Sequence, residues 1–105
     1  MKVTDRFFVS DAYKGKEKGI SKRLRTDEDN KKLEKLYLVV LPVLPEDLLD
    51  VLSYKAAKRL KKNYDELTVV GAAESREEAM KLAAVITAGV YRETGSFDIK
   101  RYFEA

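Results

Sequence analysis

The side chains able to do chemistry in this 105-residue chain are its carboxylates, lysines and hydroxyls, because it has neither cysteine nor histidine. Without cysteine there are no disulfides, iron–sulfur clusters, thiolate nucleophiles or zinc–thiolate sites. Without histidine the commonest general base and metal ligand is missing, so Ser-His-Asp catalysis and conventional zinc hydrolysis are excluded. Oxygen-ligated magnesium or calcium, a lysine Schiff base and carboxylate acid–base chemistry stay open. The inventory favours a non-catalytic role, with no cofactor and no dedicated metal site.

Carboxylates gather after two apolar runs: Glu46 and Asp47 follow Leu36–Leu44, and Glu74, Glu77 and Glu78 follow Leu67–Ala73. If both runs are parallel strands, these acids share the carboxyl edge of a sheet, where ligands of open α/β folds sit. There they could hold magnesium or share a proton. The plainer account is that they occupy the first turns of two helices, where the dipole favours negative charge. A phosphate on the backbone N–H groups after Gly71 is disfavoured: the GxGxxG pattern is absent and three glutamates would repel an anion. Ser75 and Glu78 read instead as a Ser-x-x-Glu capping box, and Gly71 as a point of close packing. Asp27-Glu28-Asp29-Asn30 is acidic enough for a calcium loop. Lys31, Lys32 and the missing glycine at the sixth position make it a polar turn.

The segment Tyr13–Arg25 stands above this background. Lys14, Lys16, Lys18, Lys22, Arg23 and Arg25 face a lone Glu17, with Gly15 and Gly19 for flexibility and Tyr13 as a stacking surface. Such a segment suits a nucleic-acid or other polyanion backbone, where each neutralised phosphate releases counterions. It lacks both the Gly-x-x-x-x-Gly-Lys phosphate cradle and the paired aromatics of sheet-based RNA binders. A solvated loop followed by a charged edge strand accounts for it with nothing extra, and is the plainer account. The excess positive charge is local: residues 1–35 hold eleven Lys/Arg against seven Asp/Glu, and the rest hold ten against eleven.

Ten aromatic residues are more than one small core takes without crowding. Met80, Tyr91, Phe97, Tyr102 and Phe103 are candidates for an apolar surface left over on the last long helix and the tail, which would mark a homodimer or partner contact. The opposite outcome is a tail folded over the core.

These residues need elements to position them. Residues 3–10 read as a strand, and 11–19 as an exposed loop. Ile20–Thr26 places Ile20, Lys22, Leu24 and Thr26 on one side and Ser21, Arg23 and Arg25 on the other, which favours an edge strand completing a hairpin through the turn 27–32. The alternative is a short helix capped by Thr26 or Asp27 and running to Lys35. Leu36–Leu44 and Leu67–Ala73 are apolar at successive positions, so both should be central strands covered on both faces. Between them Pro45 opens a helix to Asn63, with Leu48, Leu49, Leu52, Ala56 and Leu60 on its core stripe. A second helix runs from Ser75 to Thr94 and stops at Gly95. The tail 96–105 fits either a turn of helix begun at Asp98 or an edge strand.

A hydrophobic fraction of 45% and a charged fraction of 37% suit a globular chain with a packed interior, and 105 residues suit one domain. The longest apolar run is too short to span a bilayer and no signal-peptide core is visible, so a soluble cytoplasmic protein without membrane contact is expected. The expected fold is α/β (or α+β): a small mixed sheet of three or four strands with two long helices packed on it. Leu36–Leu44 and Leu67–Ala73 should form its parallel βαβ unit, and the N-terminal part should add antiparallel strands.

Overall fold

The computed structural model describes residues 1–26, 33–42, 48–63 and 67–104, with the side chains of 60–63 excepted. Four strands, β1 (Lys2–Val9), β2 (Tyr37–Val40), β3 (Asp50–Ser53) and β4 (Thr68–Ala73), form one mixed sheet in the order β1-β4-β2-β3. Helices α1 (Glu17–Thr26) and α2 (Tyr54–Asn63) pack on one face, and α3 (Arg76–Thr94) with the short α4 (Ile99–Glu104) packs on the other. The expected small mixed sheet with helices packed on it is what forms.

Both central strands are covered on both faces, as their unbroken apolar runs require. Leu38 and Val40 of β2 join Ile20, Leu24, Tyr54 and Ala57 in one core, whereas Val39 and Leu41 join Ala79, Ile86, Val90 and Ile99 in the other. In β4 the alternation breaks at Val70. Val39 and Val40 are consecutive, but their partners Gly71 and Val69 are two apart, so Val70 is an extra residue. This bulge sends Val69 and Ala72 to the α1/α2 side and Val70 and Ala73 to the α3 side. On the other edge of β4 the register with β1 slips as well, from Val3↔Val69 to Phe8↔Gly71.

Strand direction departs from expectation. β2 and β4 are neighbours but antiparallel, with Tyr37 opposite Ala73, and the parallel pair is β1 with β4. The cause lies in residues 48–63, expected as one helix from Pro45. Asp50–Ser53 instead pairs antiparallel with β2, Val51 opposite Val39, and the helix begins only at Tyr54. This extra strand reverses the chain once more, so β4 returns antiparallel to β2. The helical stripe was misread because Leu49, Val51 and Leu52 satisfy a strand equally: Leu49 and Val51 reach the α3 core and Leu52 the α2 core. Ser53 marks the true start, its Oγ accepting from Ala56 N–H at 3.1 Å. Pro45, Glu46 and Asp47 lie outside the described residues.

Ile20–Thr26 is the second correction. It is helical rather than an edge strand, and Thr26 ends that helix rather than capping a later one. Ile20 and Leu24, four apart, lie on one side under either periodicity, and only packing decides between them. Leu24 is 1% exposed while Lys22 is exposed, which a strand would not allow. The expected turn 27–32 lies outside the described residues. Where two long helices were expected, the 19-residue α3 is accompanied by two of ten residues. The tail resolves as helix, with Asp98 Oδ1 accepting from Arg101 N–H at 3.2 Å. Among the described residues no helix is long and apolar enough to cross a membrane.

Candidate functional site

Among the described residues the carboxylates do not assemble into a centre. Glu46 and Asp47, the first expected acid group, lie outside the described residues; β2 ends beside Val69, at the start of β4, whereas Glu74 follows the end of β4. Among the described residues no three acidic side chains come together in a way that could hold a metal ion. The carboxyl ends that do adjoin are those of β1 and β4, and they close on each other. Ser10 Oγ donates to Glu74 Oε2 at 2.8 Å, and Ser10 N–H to Ala72 O at 3.1 Å. Tyr13 packs against the same corner, where burial, and then the nearby Glu74 carboxylate, hold its phenol above its ordinary pKa. Ser75 caps α3 as its spacing predicted, accepting from Glu78 N–H at 3.1 Å. A Cβ on Gly71 would meet Phe8 O at 2.9 Å and Leu82 Cδ2 at 3.0 Å, so this glycine serves close packing between strand and helix.

The basic segment is divided by the fold. Tyr13 sits in a 3₁₀ turn, half-buried, and packs on the core. Lys14 lies 3.9 Å from Asp11, and Gly15 takes a left-handed φ of 87°. On α1 the spacing four and three brings Lys18, Lys22 and Arg25 onto one strip, with Arg23 on another side. The strip borders a groove of about 340 Å³ between α1 and β1 that also contains Asp5, Phe7 and Glu17. Arg25 is engaged there, 3.9 Å from Asp5 and donating to Val3 O at 3.4 Å. Lys16 is exposed in the loop before the helix.

The five apolar candidates separate into two groups. Tyr102 and Phe103 are half-buried and turned inward. Phe103 meets Phe8 edge-on at 6.3 Å, Tyr102 OH donates to Glu93 Oε2 at 2.8 Å, and Arg6 lies over the Tyr102 ring. They fasten the tail to β1 and α3. Met80, Tyr91 and Phe97 face solvent at 55%, 49% and 57% exposure, with Tyr91 and Phe97 stacked at 4.5 Å between centroids. Val85, at 66% the most exposed of the described large apolar residues, joins them.

Val85 was missed by reading the sequence. Its signal is the run Leu82–Tyr91, ten residues without a charge. Thr87 does not interrupt it, because its hydroxyl donates to Ala83 O at 2.8 Å. Ile86 and Val90 point into the core, which turns Ala84, Val85, Ala88 and Tyr91 outward. Gly89 is half-buried beside Val85 in a cleft of about 600 Å³ between α3 and β1, and a Cβ there would meet nothing within 4 Å.

Comparison of the chain with protein-family models, curated proteins and solved structures finds no match.

Proposed function

We propose that this chain is a small non-catalytic interaction domain that works by protein–protein contact, self-association being its simplest form, through the outer face of α3. One observation supports the reading above the others: a three-turn stretch of exposed helix, Leu82–Tyr91, carries no charge and presents Ala84, Val85, Ala88 and Tyr91 to solvent. Surface helices ordinarily keep charged residues on their outer side, as α1 does, and a contiguous apolar patch rimmed by polar residues is the usual mark of a contact surface. Glu77, Lys81 and Arg92 supply that rim.

The test is light scattering over a wide concentration range, with Val85→Glu as the control. Mass that rises with concentration in the native chain, and stays at the monomer value in the variant, is the expected result. A native chain that remains monomeric up to about 1 mM, an affinity of barely 4 kcal/mol, removes self-association.

A second reading is contact with nucleic acid or another polyanion through α1, supported by the strip Lys18–Lys22–Arg25 flanked by Lys14 and Lys16. It requires salt-dependent binding of labelled DNA or RNA that weakens in Lys18→Glu/Lys22→Glu. An absence of binding at low salt removes it.

A further inference from the structure

We infer that the partner of the α3 face is a second copy of this chain, docked antiparallel about a two-fold axis so that Glu77 of each copy meets Arg92 of the other. The inference rests on the α3 reading above and gives it a geometry. Glu77, Lys81, Ala84, Ala88 and Arg92 follow at spacings of four, three, four and four, which keeps them within about 80° of the helix circumference. This strip lies opposite Ala79, Ile86 and Val90, which are buried against the sheet, so it is the outermost line of the helix.

Its chemistry is self-complementary only when reversed. At one end Lys81 binds Glu77 at 3.6 Å and Glu78 at 3.4 Å, which leaves that trio with one net negative charge. At the other end Arg92 is exposed and forms no ion pair among the described residues. Between the ends the strip is alanine, small enough for two backbones to approach to about 8 Å. Parallel docking would set like ends together. Antiparallel docking with Glu77 opposite Arg92 puts Ala84 opposite Val85 and Lys81 opposite Ala88. It also brings Met80 of one copy beside Tyr91 of the other, a sulfur–aromatic contact that covers both. A helix of 19 residues is about 28 Å long, which gives a patch at the small end of specific interfaces and a dissociation constant of about 1 µM to 1 mM.

A charge swap tests the register. Sedimentation equilibrium at low ionic strength is compared for the native chain, Glu77→Arg, Arg92→Glu and the double variant, with circular dichroism confirming that each is folded. Glu77 and Arg92 are both exposed, so folding is not at stake. Each single variant places like charges together twice per dimer and should weaken association about three- to tenfold, and the double variant should recover to within about twofold. Dimerisation that Val85→Glu abolishes but the swaps leave unchanged keeps the α3 face and overturns the antiparallel register. Dimerisation that survives Val85→Glu overturns both.

Discussion

α1 and α3 lie on opposite faces of the same sheet and solve the same packing problem differently. α1 buries a narrow stripe, Ile20, Ser21 and Leu24, and fills the remainder of its surface with Lys18, Lys22, Arg23 and Arg25. α3 buries Ala79, Ile86 and Val90, yet leaves Met80, Ala84, Val85, Ala88 and Tyr91 in water. Burial of one side suffices to hold each helix to the sheet, so the fold itself gives no reason for apolar residues on the outer side of α3. Two helices in one small molecule therefore separate what the fold needs from what it leaves exposed.

Substitutions on the two helices measure that separation. Leu24→Ala on α1 should have the largest effect, a loss of about 2–5 kcal/mol in denaturant unfolding, because it empties a fully buried position. Val85→Ala on α3 should leave the unfolding free energy of the dilute monomer within about 0.5 kcal/mol. Comparable losses from the two would break the contrast.

A pair of glycines sharpens it next. Gly71 lies under the inner side of α3, where a Cβ would sit 2.9 Å from Phe8 O, so Gly71→Ala should cost about 1–3 kcal/mol. Gly89 is in α3 itself with open space around the missing Cβ, so Gly89→Ala should stabilise the chain by about 0.5–1 kcal/mol through helix propensity. Melting temperatures that move in opposite directions are the expected outcome. A destabilising Gly89→Ala would mean that the cleft beside α3 is narrower than described.

The smallest effect is electrostatic. The hydrogen bond and charge of Glu78, followed by the charge of Glu77, raise the pKa of Lys81 above its ordinary value. The protonated form is thus favoured by folding, and its contribution is complete below the ordinary lysine value and lost as pH rises through the raised one. Lys81 is fully exposed, so screening keeps this slight. Lys81→Met should flatten the alkaline limb of stability against pH, and a limb of unchanged slope would assign that loss to other groups. Tyr13, on the α1 side, is raised in the same direction chiefly by burial, so Tyr13→Phe should flatten the same limb independently.

The exposed apolar residues were legible in part, and for identifiable reasons. Met80, Tyr91 and Phe97 are large apolar residues in an otherwise charged chain, so composition alone singled them out. Tyr102 and Phe103 have the same character, yet the tail folds against Phe8 and Arg6 and takes them out of the surface. Val85 is one valine among several, and no single-chain pattern tells which side of an apolar helix the sheet covers. The basic strip was legible in its charges and misplaced in its geometry, because Ile20 and Leu24 fit two periodicities.

Sequence alone determined what short-range chemistry can specify. The N-cap at Ser75, the stop at Gly95, the two central apolar strands and the exclusion of thiol and imidazole catalysis all follow from residue types and near spacing. The tertiary structure decided the rest: that Asp50–Ser53 is a strand, that β2 and β4 run antiparallel, and that the C-terminal aromatics divide between core and surface. Those outcomes turn on which distant segment covers a given apolar residue. Burial rewards any cover that excludes water, so the residue itself carries no record of which one it receives.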